Sequence, residues 1–315
     1  MVDLQERQAA ATVAAASPAL HCIELTKSYG HTLALAGLTM TVRRGEVFGF
    51  LGPNGAGKTT GVKLFLGLIS PTSGEGSLLG RPLGDLQVRR RVGYLPELFR
   101  YQPWLSAREV LGLHCELARL PRSAWGLEID RVLRTVDLAD RASARVGTYS
   151  KGMQQRLGLA VALLGQPEVV FLDEPTSALD PVGRHDVRQI LNGLREQGTA
   201  VFLNSHLLSE VEMICDRVAM VDHGRVIAAG SLDELLSGGS CRVRATGLDV
   251  RQRASLQSFG SVEDDGQWLT VTGLDPERIP ELVGQIVDLG GRVYAVEPRH
   301  QSLEDRFLEL LGHQS

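Results

Sequence analysis

The residues best suited to chemistry form a glycine-rich segment that ends in a lysine and two hydroxyl side chains. It fits the pattern G-x4-G-K-[ST] and consists of Gly52, Pro53, Asn54, Gly55, Ala56, Gly57, Lys58 and Thr59, followed by Thr60. Glycines let successive backbone N–H groups turn towards phosphate oxygens, and a helix that starts at such a loop adds its dipole. The Lys58 ammonium can neutralise β- and γ-phosphates, and the Thr59 hydroxyl can ligate Mg²⁺. The segment therefore predicts a loop that binds a nucleoside triphosphate.

Two adjacent carboxylates, Asp173 and Glu174, follow an unbroken apolar run at Val169–Leu172. Such a run is typical of a strand buried on both faces. Carboxylates side by side at the end of a buried strand are costly unless a metal ion or a water molecule uses them. We expect Asp173 to hold Mg²⁺ through water and Glu174 to polarise an attacking water molecule. Alone, the pattern also suits a strand that simply leaves the core, but the glycine-rich segment favours the chemical interpretation.

Three further motifs surround these carboxylates. They are, in chain order, Tyr149–Gln155, Ser177–Asp180 and Asn204–His206. The complete order resembles the ATP-binding subunit of ABC transporters, over a stretch from about Leu20 to Leu236. This resemblance implies the α/β fold of a P-loop NTPase, an ABC cassette with a helical insertion, and ATP and Mg²⁺ as cofactors. It also implies a homodimer that closes on two ATP molecules, and separate integral membrane permease subunits that contact the transported substrate.

The resemblance assigns roles to five more side chains or backbone positions. Tyr29 matches the aromatic residue that stacks on adenine. Ser150 and Gly152 match the signature positions that contact the γ-phosphate of ATP held by the partner subunit. Asp180 matches the aspartate that bridges the two subunits, and His206 matches the switch histidine beside the γ-phosphate. Together with Glu174, His206 is expected to serve catalysis.

Two motifs depart from the usual family pattern. Glu97 stands where the coupling loop usually has glutamine, and an ionised carboxylate can reach Mg²⁺ but cannot donate a hydrogen bond. Lys151 and Met153 stand in the signature where a second glycine and a glutamine are common. Both variants, and the ending Gln301–Asp305, resemble the export branch that handles drugs, polysaccharides and lipids.

Four functions remain open from the sequence. The first is the energy-coupling subunit of an exporter, and the second is the same subunit of an importer. The third is a soluble ABC ATPase that acts on ribosomes or DNA; such proteins usually carry two cassettes or long heptads, and this chain has neither. The fourth is a regulatory protein that holds ATP without turnover, and the presence of Glu174 and His206 argues against it.

The chemical residues require an alternating α/β framework. Strands are predicted at Leu20–Leu25, Leu33–Val42, Glu46–Leu51 and Ala200–Leu203, in addition to the run before Asp173. The helix after the glycine-rich loop is expected to bury Val62, Phe65, Leu66 and Ile69. Strand patterns vanish between about Phe99 and Thr148, a segment rich in Leu, Arg and Ala that predicts a helical subdomain.

A Ser-Gly-Gly-Ser run at Ser237–Ser240 predicts a linker. After it, strands are predicted at Cys241–Thr246, near Val262, at Gln267–Thr272 and at Arg292–Glu297, with helices at about Val250–Ser258 and Pro280–Leu289. This βαββαβ order suggests a small α+β, ferredoxin-like domain. A last helix is expected to start at Ser302 and to bury one apolar face. The predicted organisation is a disordered tail at 1–19, the cassette at 20–239 with its helical subdomain at 99–148, and an accessory domain at 240–315.

Composition narrows the class of protein. The chain has 315 residues, 33 basic against 37 acidic residues and a net charge of −4, so it has no broad basic field for nucleic acid. Its four cysteines are scattered, which indicates a reducing compartment. The longest good apolar run, Leu159–Leu164, is far shorter than the about 20 residues of a membrane helix. Together with the membrane permease that the resemblance to ABC transporter subunits implies, these observations lead us to expect a peripheral protein at the cytoplasmic face of the cell membrane.

Overall fold

A computed structural model describes residues 17–177, 179–236, 240–299 and 302–312. The chain forms two compact units, one that ends at Ala229 and one that begins at Gly230. Most of the predicted tail and of the predicted linker lies outside the described residues. Ala19, which the sequence assigned to the tail, is fully buried and its carbonyl accepts a hydrogen bond from the Leu79 N–H at 2.8 Å.

The first unit is an α/β structure. Its strands are β1 (Leu20–Tyr29), β2 (Thr32–Val42), β3 (Val47–Leu51), β4 (Ser73–Leu78), β5 (Arg81–Pro82), β6 (Val92–Leu95), β7 (Val169–Asp173), β8 (Ala200–Asn204), β9 (Arg217–Asp222) and β10 (Arg225–Ser231). Its helices are α1 (Lys58–Phe65), α2 (Ala107–Leu117), α3 (Trp125–Thr135), α4 (Lys151–Ala162), α5 (Pro181–Glu196) and α6 (Leu208–Ile214).

A six-stranded sheet in the order β10-β9-β3-β8-β7-β6 forms the centre of this unit. The five strands from β9 to β6 pair in parallel, so their carboxyl ends meet at one edge of the sheet. Every residue of β3, β7 and β8 is buried, because each strand is an apolar run covered on both faces. This edge therefore brings together the residues that follow β3, β7 and β8.

Helix α1 is held against the sheet by aromatic packing. The Phe65 ring lies 5.5 Å from Phe202 and 6.3 Å from Phe50, both edge-on, and 6.4 Å from Phe171. Such contacts combine large apolar burial with favourable ring geometry. They fix the helix that begins at Lys58 over the strands that carry the other chemical residues.

The sequence overestimated the length of α1. The helix ends at Phe65, and Leu66 and Ile69 are only partly buried against the core after its end. Gly67 adopts φ +65°, a left-handed conformation that terminates a helix and that glycine accepts without a steric penalty. The helical spacing of apolar residues in the sequence therefore extends beyond Gly67, although the helix itself ends before it.

A second, antiparallel sheet has the order β2-β1-β4-β5. Strands β1 and β2 form a hairpin in which Tyr29 pairs with Thr32 at the turn. Along β2, Ala36 donates a hydrogen bond to the Gly224 carbonyl at 2.8 Å, and the Gly224 N–H donates to Ala56 at 3.0 Å. The hairpin is thereby anchored beside the glycine-rich loop.

The segment from Phe99 to Thr148 contains α2, α3 and three short 3-10 turns, with a single isolated bridge between Ser106 and Arg145. Helix α2 begins with a capping box, in which Ser106 accepts from the Glu109 N–H and the Glu109 side chain accepts from the Ser106 N–H. Each of the two helices buries one apolar face.

The second unit is a four-stranded antiparallel sheet with helices. Its elements are α7 (Leu232–Leu235), β11 (Ser240–Thr246), α8 (Val250–Ser255), β12 (Ser261–Asp264), β13 (Leu269–Thr272), α9 (Ile279–Asp288), β14 (Arg292–Arg299) and α10 (Leu303–Gly312). The strand order is β12-β13-β11-β14, and each neighbouring pair is antiparallel. A separate apolar cluster, which includes Val243, Leu256, Val271 and Ile286, forms its core.

Two predicted elements of this unit are shorter in the structure. The strand predicted from Gln267 begins at Leu269, because Asp265 accepts hydrogen bonds from the Gln267 and Trp268 N–H groups and makes a turn there. The helix predicted to Ser258 ends at Ser255 and continues as a 3-10 turn at Leu256–Phe259.

Candidate nucleotide-binding and catalytic site

The glycine-rich loop lies between β3 and α1 and requires its glycines. A Cβ at Gly52 would lie 2.1 Å from the Val221 carbonyl oxygen, and one at Gly57 would lie 2.3 Å from the Ala34 carbonyl oxygen. Gly55 has φ +85° with open space around it. The backbone of this loop therefore lies too close to its neighbours for side chains at the first and last glycines.

The remaining residues of the loop and the first turn of α1 differ in their exposure to solvent. Ala56 is buried, Pro53 and Thr60 are half-buried, and Asn54 and Thr59 are exposed. Thr59 and Thr60 belong to the first turn of α1, where unpaired backbone N–H groups and the helix dipole favour an anion. Thr59 is thus accessible to solvent directly after the loop, and Thr60 is partly accessible.

Lys58 is buried beside the loop that it follows. Its Nζ donates hydrogen bonds to the Gly52 carbonyl at 2.7 Å and to the Pro53 carbonyl at 3.2 Å. Burial lowers the pKa of this ammonium, and the negative charges of Glu174, Asp173 and Glu97 act in the opposite direction. The lysine therefore lies within the field of all three predicted carboxylates.

Asp173 ends β7 and is 4% exposed. Burial raises the pKa of its carboxyl group, the nearby charges of Glu97 and Glu174 raise it further, and a hydrogen bond from Asn204 together with the Lys58 charge lowers it. The donor is the Asn204 amide, which contacts Asp173 Oδ1. A cation near this carboxylate would stabilise its ionised form.

Glu174 and His206 are in direct contact. Glu174 Oε1 accepts a hydrogen bond from the His206 backbone N–H at 2.9 Å and lies 2.7 Å from the ring Nδ1. Glu174 Oε2 is buried and has no hydrogen-bond partner among the described residues. Glu174 also has φ +53°, an uncommon conformation for a residue with a side chain. The backbone and the histidine together orient one oxygen and leave the other for a polar group such as water.

Glu97 follows β6 and is exposed. Its charge acts on Lys58 and on Asp173, and burial followed by the charges of Asp173 and Glu97 raises the pKa of Tyr94. The Glu97 carboxylate is therefore within electrostatic reach of Lys58 and Asp173.

Tyr29 is 49% exposed at the end of β1, and the Lys27 ammonium lies 5.3 Å from its ring centroid. The hairpin that carries it contacts the glycine-rich loop through β2. An exposed ring at this point is free to stack on a planar group.

Ser150, Gly152 and Asp180 lie together, apart from the loop. Ser150 precedes α4 and Asp180 precedes α5, and each side chain accepts a hydrogen bond from the N–H three residues later, at 3.2 and 2.7 Å. They line one surface depression of about 510 Å³ with Gly152, and none of its lining residues belongs to the glycine-rich loop. Within one chain the predicted site residues thus form two separate groups.

Two residues of the site were not identified from the sequence. Asn204 belongs to one of the sequence motifs, but the motif predicts no role for it; in the structure its amide donates a hydrogen bond to Asp173. Gln155 on α4 is 7% exposed and its amide donates to the Glu174 carbonyl at 3.4 Å. The buried polar residue at the end of β8 was the available signal for Asn204, since a buried amide requires partners.

A parallel sheet that carries a phosphate-binding loop after β3 and paired carboxylates after β7 defines the class of P-loop nucleoside triphosphatases. Known proteins narrow this class. The family described as ABC transporter matches residues 35–177. An uncharacterised ABC transporter ATP-binding protein of Nostoc sp. (strain PCC 7120) is 42% identical over 285 residues, which cover 90% of this chain and 84% of that protein.

Two further matches agree. The Nod factor export ATP-binding protein I of Burkholderia orbicola is 36% identical over 91% of this chain and 95% of that protein. A solved ATP-binding cassette, described as a dimeric post-hydrolysis state bound to ADP and Pi, is 26% identical with a TM-score of 0.62, over 68% of this chain and 98% of that chain. The chain belongs to the ATP-binding proteins of ABC transporters, and it is the subunit that hydrolyses ATP.

In the described part of the chain, no helix combines the length and the apolar character that crossing a membrane demands.

Proposed function

We propose that this ATPase subunit powers the export of a substrate through separate integral membrane permease subunits. ATP turnover is supported most directly by the Glu174 carboxylate. His206 holds its Oε1, and its Oε2 is buried and has no hydrogen-bond partner in the part of the chain that the structure describes. Export is supported by the Nod factor export protein, whose alignment spans nearly the whole of both chains. The glutamate at position 97 and the signature residues Lys151 and Met153 agree with the export branch of the family.

We infer the following roles at the ATP site of one subunit. The backbone of residues 52–60 binds the phosphates, and Lys58 neutralises their charge. Tyr29 stacks on the adenine ring. Glu174 takes up a proton from the attacking water as the general base, and His206 holds Glu174 in place and lies beside the γ-phosphate.

The residues present fit Mg²⁺. Among the described residues no group of three or more His, Cys, Asp or Glu side chains could hold a metal ion by itself. Magnesium is commonly bound by one or two protein oxygens together with substrate phosphates, and Thr59, Asp173 and Glu97 would supply such oxygens. When bound, the ion would offset phosphate charge. The raised pKa of Asp173, caused first by burial, agrees with a carboxylate that awaits a cation.

We propose that two copies share each ATP site. Ser150, Gly152 and Asp180 line a depression that contains no loop residue, so within one chain they do not complete the site formed by Lys58. A partner copy can supply them in a symmetric dimer, which agrees with the dimeric cassette among the similar structures. Closure of the dimer on ATP would switch the permease from facing one side of the membrane to facing the other side. Hydrolysis would then reopen the dimer.

We further propose that the second unit is a ferredoxin-like accessory domain. Its βαββαβ order and its strand order β12-β13-β11-β14 agree with two split βαβ motifs. The domain limits proposed from the sequence are a tail at 1–19, the cassette at 20–239 and the accessory domain at 240–315; in the structure Ala19 is buried and the second compact unit already begins at Gly230. The location proposed is the cytoplasmic face of the cell membrane, through the permease.

The function is tested with the complex reconstituted in proteoliposomes. A tagged chain should co-purify from detergent-solubilised membranes with a polytopic membrane protein in equal amounts. Export predicts that the reconstituted complex hydrolyses ATP without any binding protein on the opposite side of the membrane, and that Glu174→Gln abolishes this activity. A complex that is silent until a substrate-loaded external binding protein is added would instead indicate import.

A further inference from the structure

A buried carboxylate on α6 joins that helix to α5. Glu210 has a side chain only 7% exposed, and its Oε2 accepts a hydrogen bond from the Arg188 guanidinium at 3.2 Å. Its Oε1 lies 3.7 Å from the Arg184 guanidinium. A buried charge is tolerated only where partners of opposite sign surround it, so this group constrains both helices.

The α5 side of this ion pair reaches the segment that carries Asp180. Arg184 Nε donates a hydrogen bond to the Leu179 carbonyl at 3.2 Å. The Leu179 side chain in turn lies against Gly152, where an added Cβ would be 3.3 Å from its Cδ2. One arginine therefore contacts both Glu210 and the backbone beside the group formed by Ser150, Gly152 and Asp180.

The α6 side reaches the catalytic pair. Helix α6 begins at Leu208, directly after the segment in which His206 contacts Glu174. His206 lies two residues before this short helix, and its backbone N–H donates to Glu174 Oε1. A displacement of α6 would therefore change the orientation of the Glu174 carboxylate.

We propose that Glu210 is a positioning residue that, through Arg184 and Arg188, fixes His206 relative to the backbone at Leu179. This inference rests on the proposed dimer, in which Asp180 serves the ATP site of the partner while His206 serves its own. The Glu210 ion pairs then join the elements of the two ATP sites within each subunit. Their loss would misalign the catalytic pair and weaken the coupling between the two sites.

The test is Glu210→Gln in the full-length protein, which retains the shape of the side chain and removes its charge. We expect kcat for ATP hydrolysis to fall on the order of 10-fold, with the KM for ATP nearly unchanged and the Hill coefficient for ATP reduced towards 1. Glu128→Gln is the matched control. Glu128 is 12% exposed, pairs with Arg131 at 2.7 Å and accepts from the Gly165 N–H, so its removal also breaks a largely buried ion pair. This control should lower the melting temperature and leave kcat and the Hill coefficient at their wild-type values.

A second variant covers the case in which Glu210→Gln does not fold. Arg184→Gln, at a side chain 32% exposed, should produce the same loss of kcat, and the double variant should lose no more than the worse single variant. Losses that multiply in the double variant would contradict a shared role. A lower melting temperature with wild-type kcat and Hill coefficient would show a purely structural ion pair and overturn the proposal. A wild-type chain that stays monomeric with ATP would contradict the proposed dimer itself, and the coupling with it.

Discussion

Asn204 is an uncharged residue that influences the protonation of a carboxylate in the proposed catalytic site. Its amide donates to Asp173 Oδ1 and is the largest influence that lowers the pKa of that carboxyl group, against the larger effect of burial that raises it. Asp173 has to be ionised to interact with a cation. Removal of this hydrogen bond therefore favours the protonated, inactive form at low pH.

We expect Asn204→Ala to move the acid limb of the pH profile of kcat/KM to higher pH and to lower activity at pH 7 roughly 10-fold. The sign follows because the pKa of Asp173, already raised above its usual value of 3.8, rises further when its donor is lost. ATPase rates measured from pH 5 to pH 9 provide the test. Ser205→Ala is the control, since Ser205 Oγ accepts a local hydrogen bond from the Leu207 N–H and makes no hydrogen bond to Asp173 among the described residues. An acid limb that stays in place in Asn204→Ala would refute the role of the amide.

The single residues of the site were predictable where a motif fixed them, but their contacts were not. The contact between Glu174 and His206 depends on the parallel pairing of β7 with β8, which joins residues far apart in the chain. The ion pairs of Glu210 depend similarly on how α5 and α6 pack. No local pattern in the sequence specifies such contacts between residues that are distant in the chain.

Among the secondary-structure elements, buried strands were the most predictable. The apolar runs at Val47–Leu51 and Val169–Leu172 form β3 and β7 nearly as expected. Parallel strands that are covered on both faces consist of continuous apolar residues, and such a run is easy to recognise in a sequence. Element ends were less predictable. The stop of α1 depends on Gly67 and the start of β13 on the turn at Asp265, and each overrides a longer apolar period.

An ion-pair cluster ties three elements of the first unit together. Glu168, before β7, accepts from Arg91, next to β6, and from Arg44, next to β3. These arginines lower the pKa of the Glu168 carboxyl group to about 2, with the Arg91 hydrogen bond as the main cause. The cluster therefore stabilises the fold while Glu168 is ionised in the folded state.

We expect Glu168→Gln to lower the free energy of unfolding at pH 7 by about 1 kcal/mol or less, because the carboxylate is 39% exposed and screened by solvent. A depressed pKa stabilises the folded state above the usual value of 4.5, and this contribution is lost as the pH falls towards about 2. The difference between variant and wild type should therefore shrink between pH 5 and pH 3 in denaturant titrations. Glu116→Gln, at a more exposed pair with Arg122, is the control. A difference independent of pH would count against the ion pairs.

For the whole chain, the chemistry lies in the first unit. Every proposed site residue falls between Tyr29 and His206, and the second unit has its own apolar core. We expect a chain that ends at Gly239 to bind ATP with unchanged affinity in a calorimetric titration, and to lose dimer lifetime or coupling to the permease, because contact area is lost. A truncated chain that keeps its binding but loses much of its melting temperature would indicate that the second unit serves folding instead.

The central claim concerning the whole molecule is that each ATP site combines residues of two copies. It is tested most directly by mixing two differently tagged, inactive variants, Lys58→Ala and Ser150→Arg, and measuring the ATPase activity of the isolated heterodimer. One of its two sites then has an intact Lys58 and an intact partner's Ser150, while the other site lacks both. We predict a clear recovery of activity, up to about half of the wild-type rate per dimer, because one of two equivalent sites is complete. Heterodimers that form, remain folded and hydrolyse no more ATP than either variant alone would contradict the account.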